Sequence, residues 1–406
     1  MRSWRLATTL LAALAFPLCA QAQETRAEAL EKQRAEKATQ LKQYRPTNLE
    51  KTLLYVEESN PLTRLAPWNG FYIQYGYTAK PVGSGIAIGG GWRHDLFDRN
   101  ARIVFEAGQS LRSYRMMRAD FSLPRLLDEK LELGIEGSYD YQPQEDFFGA
   151  GLSSSIDDRS NFLYKAPSVE GRAMVKPRKW MNAGVRFGWT DTTVDSGRDK
   201  RFPSTDDVFT PADAPGLLEQ PSFLYNDLFA TVDTRDQPGN ARAGGYYGVL
   251  WRHYDDRDLG RYAFDRMDLD LQQFLPIFDK KRVIALRVRL TTTTADEGQE
   301  VPFYLQPTLG GGDSLRSVGD YRYRDRNVFS ANVEYRWEAF SGLDMALFSD
   351  FGTVAPRFDD LEFSDLRGAY GLGFRFNTFK AVFLRIDLAA GGPEGLHLFT
   401  KFSKAF

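Results

Sequence analysis

Beyond its first 22 residues this chain has no cysteine, no long apolar run and almost no histidine. Each lack removes a class of explanation. Cys19 is the only cysteine, and a cut after Ala22 takes it away, so the mature protein would carry neither a disulfide nor a thiolate metal site. No stretch of about 18 apolar residues follows, which excludes helices that span a bilayer. His94, His253 and His397 are the only histidines, and no two of them have the spacing of metal ligands. No metal and no cofactor is therefore expected. The formal net charge is −2, which argues against a nucleic-acid partner.

What is present begins with a secretion signal over residues 1–22. Arg2 and Arg5 form its positive start, Leu6–Leu18 its short apolar centre, and Ala20-Gln21-Ala22 the small residues of a cleavage site. Phe16-Pro17-Leu18 lacks the small residues that precede a lipidated cysteine, which speaks against an anchor at Cys19.

After the signal, aromatic residues make up 14% of the chain and 35 glycines accompany them, a mixture that suits strands with aromatic girdles. Period-two alternation carries more weight. Met181, Ala183, Val185, Phe187 and Trp189 share one face, while Asn182, Gly184, Arg186, Gly188 and Thr190 share the other. Ile284, Leu286, Val288 and Leu290 likewise oppose Arg287, Arg289 and Thr291. Val333, Tyr335 and Trp337 oppose Asn332, Glu334 and Arg336. Tyr370, Leu372, Phe374 and Phe376 oppose Gly371, Gly373, Arg375 and Asn377, and Val382, Leu384, Ile386 and Leu388 oppose Arg385 and Asp387. One face is apolar, as lipid demands, and the other combines glycine with charges of both signs, as a hydrated lumen allows. The fold class expected is all-β, a transmembrane antiparallel β-barrel.

About fifteen strand-like segments follow residue 70. Short connections at 176–179 and 278–281 alternate with long ones at 196–221 and 295–325, the asymmetry of periplasmic turns and outer loops. A closed bacterial barrel needs an even number, so about sixteen strands are expected, the missing one lying within 66–123. The chain ends on Gly395–Phe406, where Leu396, Leu398, Phe402 and Phe406 share a face. Phe402 and the terminal Phe406 resemble the signal by which the outer-membrane insertion machinery recognises its clients.

The segment Leu309–Asn327 reads L-G-G-G-D-S-L-R-S-V-G-D-Y-R-Y-R-D-R-N. It resembles the signature loop of the BamA/TamA-type bacterial surface antigen barrels, in which Leu-Gly-Gly precedes an Arg-Gly-aromatic and then an Arg-aromatic-Arg-Asp. The matching positions are Leu309, Gly310, Gly311, Arg316, Arg322, Tyr323, Arg324 and Asp325, while Ser317 and Val318 replace the usual glycine and aromatic. Phe348-Ser349-Asp350-Phe351-Gly352 is similar to the family's Phe-x-Asp-x-Gly strand. Two further stretches agree, Asp233–Asp236 followed by Arg242-Ala243-Gly244, and Asp146–Gly151 with its Phe147-Phe148-Gly149. The resemblance implies that the loop folds into the lumen and that Arg316 pairs with Asp350, with Glu334 and Arg336 extending the network. Alternation agrees that Asp350 points inward, because Met345, Leu347 and Phe351 take the apolar face.

Family members with assembly or secretion roles carry periplasmic transport-associated modules ahead of the barrel, and residues 23–69 are too few for one. A short form without them is the expectation. Residues 24–43, rich in Ala, Glu, Lys, Arg and Gln, suit a charged periplasmic helix within a linker over 23–65, leaving 66–406 for the barrel. No Gly-x-Ser-x-Gly lipase elbow precedes the barrel. His253 shares a face with Tyr247, Val249 and Trp251, and a girdle or loop-base histidine is a simpler reading than a catalytic dyad. No enzymatic activity is expected.

Two functions remain. One is assembly or translocation of proteins or lipids at the outer membrane. The other is a channel or structural barrel, with a lumen lined by residues such as Glu132, Glu136, Arg186, Arg287 and Arg385 and narrowed by the loop. The partners expected are outer-membrane lipids and lipopolysaccharide, the insertion machinery, and a protein of the periplasm or outer membrane.

Overall fold

A computed structural model describes residues 69–76, 87–377 and 381–401. The expected helix over 24–43 and the aromatic residues Phe402 and Phe406 lie outside the described residues. The first strands are β1 (Gly70–Gly76), β2 (Ala87–Leu96), β3 (Ala101–Ser110), β4 (Arg115–Arg125) and β5 (Leu131–Phe147). β6 (Ser160–Arg178), β7 (Met181–Asp191), β8 (Thr193–Ser196), β9 (Ser222–Asp233) and β10 (Gly244–Asp256) follow. Next come β11 (Phe264–Ile277), β12 (Arg282–Thr294), β13 (Thr308–Leu309) and β14 (Tyr323–Arg324). β15 (Asn327–Phe340), β16 (Leu343–Ala355), β17 (Arg367–Asn377), β18 (Val382–Gly392) and β19 (Gly395–Lys401) complete the series.

Seventeen of these strands make one antiparallel sheet, and β13 and β14 pair only with each other inside the long connection from β12 to β15. The order is a meander in which each long strand pairs with its neighbours in sequence. The four-residue β8 continues β7 beyond Thr192 and pairs with the same partner, β6. Counted as one stave with β7, it leaves sixteen staves among the described residues. The irregular stretch before residue 123 holds β1 to β3 and most of β4.

The alternation read from the sequence sets the two faces of the sheet. Phe187 is 57% exposed and Leu347 54% on the outer face, whereas Glu334, Asp350 and Asp387 are fully buried on the inner one. Inner-face glycines make room for side chains of the next strand. A Cβ at Gly188 would lie 2.2 Å from the Tyr225 ring, and one at Gly91 would lie 2.3 Å from that of Tyr72. The sheet curls around its contents, since Arg242, between β9 and β10, reaches Asp344 on β16 at 2.7 Å.

Two expectations need correction. The connection expected at 176–179 is shorter, because β6 runs on to Arg178 and Lys176 pairs with Glu132 at 2.7 Å within the sheet. Val382, expected on the exposed apolar face, is only 2% exposed. A bulge shifts the pairing of β17 and β18 there, and the Val382 N–H donates to the Gly239 carbonyl at 3.0 Å, so the segment before β10 covers this end.

Candidate functional site

The long connection between β12 and β15 turns into the interior and fastens there. Its apolar half is a small core of its own. Leu309, Leu315, Val318 and Tyr323 are buried against Val328 of β15, Val354 of β16 and Ala369 of β17. Gly352 makes this seat possible, because a Cβ there would lie 2.6 Å from a Leu309 methyl. Gly310 and Gly311 take φ of +137° and +80°, a backbone that residues with a Cβ rarely adopt. They bend the chain so that the Gly311 N–H donates to the Val318 carbonyl at 3.1 Å and the Ser314 hydroxyl donates to the Gly310 carbonyl at 2.7 Å.

The polar half centres on Arg316, which is 1% exposed. Its Nε and Nη2 donate to the two oxygens of Asp350 at 2.7 and 2.6 Å, and its backbone N–H adds a third bond at 3.2 Å. Nη1 reaches Glu334 at 2.7 Å and Asp387 at 3.3 Å. The guanidinium stacks 3.4 Å over the Phe348 ring. Burial alone would pull this guanidinium down, but Glu334, Asp350 and Asp387 outweigh it and hold it well above its ordinary value.

The three carboxylates are themselves shared. Arg375 bridges Asp387 at 2.5 Å and Glu334 at 2.9 Å, Arg336 donates to Glu334 at 2.8 Å, and Arg385 to Asp387 at 2.5 Å. Asn332 donates to Asp350 and to the Ser314 carbonyl, tying β15 to the loop. Four arginines and three carboxylates thus form one buried network across β15 to β18. A planar five-donor guanidinium is the side chain that can serve three carboxylates at once.

Arg322 and Arg324 fasten the other edge. Arg322 meets Glu394, between β18 and β19, at 2.8 Å and donates to Ser154 through two nitrogens. Arg324 donates to Glu145 of β5 and to the Phe303 carbonyl, both at 2.8 Å, and lies near the rings of Phe147 and Phe162. The Phe147-Phe148-Gly149 stretch therefore receives the two loop arginines, Phe148 lying 5.2 Å from the Arg322 guanidinium. Asp325 stands apart from these pairs, its carboxylate accepting the Arg326 N–H at 2.7 Å. Two loop ties also reach the last strands. Lys401 of β19 pairs with Asp313, and the Arg385 guanidinium donates to the Gly312 carbonyl at 2.6 Å.

The structure brings Arg316, Asp350, Glu334 and Arg336 together and places Leu309, Gly310, Gly311, Arg322 and Arg324 in the same loop. Arg375, Arg385 and Asp387 join the network too. Their inward alternation was readable in the sequence, but their convergence on one guanidinium was not. Glu145 and Glu394 carried no signal. Of the other lumen residues, Glu132 and Glu136 pair with Arg172, Arg186 with Asp227, and Arg287 with Asp270. His253 sits beside Asp265 at 2.9 Å.

The Omp85 superfamily domain matches residues 96–392, well over half of the chain. This chain belongs to the Omp85 superfamily. Solved structures agree on the fold. BamA from Haemophilus ducreyi lacking POTRA domains 1–3 superposes with a TM-score of 0.63 at 15% identity, over 82% of this chain and 69% of that one. CdiB from Escherichia coli gives a TM-score of 0.53 at 14% identity, over 84% of this chain and 64% of its own. No curated protein sequence matches. This Omp85 chain is thus an outer-membrane β-barrel of the BamA-like kind, with membrane assembly and transport as its coarse functional class. The apolar outer face and the charged interior are what that location requires.

Proposed function

We propose that this Omp85 chain assists the insertion or translocation of proteins or lipids at the outer membrane, with the inward loop as a lock that holds the resting barrel. The observation that carries this reading is the place where the loop is fastened. Arg316 binds β15, β16 and β18 together, while Asp313 and Arg322 reach β19 and the β18–β19 turn. A passive wall needs no such concentration of buried charge on its last strands, and buried ion pairs by themselves add little stability.

In this reading the sixteen staves close where β19 meets β1. A seam between the first and last strands is the place where the sheet would open for a client. Phe402 and Phe406 serve as an insertion signal, and lipopolysaccharide, membrane lipids and the insertion machinery are the protein's surroundings. Depleting the protein and scoring outer-membrane protein and lipid content tests the proposal. A fall in the content of one or more barrel proteins or lipids is expected, and unchanged content would refute it.

A second reading, a channel, draws on the chamber of about 950 Å³ beneath the loop, lined by charges of both signs. A steady ionic current with unchanged membrane composition on depletion would favour it.

A further inference from the structure

Among the described residues, one arginine of the chamber beneath the loop has no carboxylate within ion-pair distance. The chamber's volume is about 950 Å³, and its wall includes Arg186, Arg252, Arg266, Arg287, Arg289 and Arg324. Five of these face a carboxylate. Arg186 and Arg252 share Asp227, Arg266 meets Asp268, Arg287 meets Asp270 and Arg324 meets Glu145. Arg289 has none within ion-pair distance among the described residues, and its one hydrogen bond is from Nη2 to the Asp313 backbone carbonyl at 2.5 Å. Its Nε is shut off from solvent and has no partner.

A guanidinium keeps its proton at any physiological pH, so it cannot escape burial by becoming neutral. Arg289 is half-buried, and a cation with its Nε shut off from water and no ion-pair partner draws a counter-charge from its surroundings. A second guanidinium nitrogen of this wall, the Nε of Arg324, also lacks a hydrogen-bond partner, as do the acceptors Gln306 Oε1 and Asp313 Oδ1. Asp270, opposite Arg289 in the β11–β12 register, and Asp313 of the same wall pair with Arg287 and Lys401 and lie beyond ion-pair distance of Arg289. The chamber falls within the ordinary range for small-molecule sites, about 300–1,000 Å³.

We propose that this chamber binds a small oxyanion, a carboxylate or a phosphate carried on a compact polar molecule, with Arg289 as the residue that holds the charge. The forked guanidinium recognises both oxyanions in the same manner. Because Arg289 also donates to Asp313 and the loop roofs the chamber through Thr308 and Tyr321, the ligand would lie directly against the loop. The site is independent of the assembly reading, since a channel would present it equally.

The test is calorimetric titration of the full detergent-solubilised chain, in chloride-free buffer, with inorganic phosphate, with citrate, and with glucose as the neutral control. Saturable binding of phosphate or citrate but not of glucose is expected, and the stronger of the two identifies the headgroup. Arg289→Gln is expected to weaken binding by about tenfold or more, the loss of a charge-assisted hydrogen bond. Arg289→Lys, which keeps the charge but not the fork, is expected to retain part of it, and it serves if the glutamine variant does not fold. Absence of binding to the wild type, or unchanged affinity in both variants, would overturn the proposal.

Discussion

Arg316 grips Asp350 through two nitrogens, at 2.7 and 2.6 Å, across a sequence separation of 34 residues. Both side chains are buried, so the pair joins the loop to β16 out of reach of water. Removing the arginine strands Asp350 and leaves Glu334 and Asp387 short of a partner. Breaking a buried pair in this way costs about 3–5 kcal/mol. Arg316→Ala is expected to lower the urea midpoint of the refolded barrel accordingly. Arg316→Lys should recover little, because an ammonium cannot serve three carboxylates in the plane that a guanidinium does. A midpoint equal to wild type in Arg316→Ala would show that the pair does not hold the loop.

Gly310 offers a test that leaves the charges in place. Its φ is +137°, and a Cβ there would lie 2.2 Å from the Gly319 carbonyl oxygen. Gly310→Ala is therefore expected to cost about 1–3 kcal/mol and to expose the loop to protease digestion. Equal digestion of variant and wild type would contradict the described turn.

The loop should also respond to mild acid. Burial pushes the Asp320 carboxyl up to about 6, with Asp313 and Asp146 adding to the rise and Lys401 and Arg112 opposing it. A carboxyl raised in the folded state adds stability that is complete below its ordinary value of 3.8 and is lost as pH rises through about 6. Burial also pushes Asp313 up, but Lys401 and Arg385 outweigh it and hold that carboxyl at about 2, so it titrates below this window. Hydrogen exchange across 309–324 is expected to be slower at pH 5 than at pH 7.5 after correction for intrinsic rates. Asp320→Asn should abolish the difference, and a difference that survives in that variant would place the titrating group elsewhere.

The ties to the last strands predict a coupling. Glu394→Gln combined with Lys401→Met removes the ionic contacts of Arg322 with the β18–β19 turn and of Asp313 with β19. Faster hydrogen exchange in β19 is expected, with β9 and β10 unchanged. If β19 exchanges as in wild type, the loop does not brace the closing strand.

How far the sequence could reach differs from residue to residue. Period two gave the faces of β7, β12, β15 and β17, because a strand buries alternate residues whatever lies beyond it. It misplaced Val382, where a bulge and a neighbouring segment override the pattern. Family likeness suggested which residue Arg316 would meet. Spacing alone could not, since the inward depth of a loop is set by the core that Leu309, Leu315 and Val318 form against three strands. Arg375 and Asp387 were visible as inward charges, but which carboxylate each arginine serves depends on register between β15, β16, β17 and β18. The partners of Arg322 and Arg324 were invisible, because Glu394 and Glu145 sit in segments brought near only when the sheet curls.

Single-channel conductance in planar bilayers addresses the inward loop most directly. Wild-type protein is expected to show a low conductance with rare openings, because the loop is fastened in the interior on the Arg316 network, while Arg316→Ala should conduct more and open more often. A variant with the same conductance and gating as wild type would contradict the claim that this arginine keeps the barrel closed.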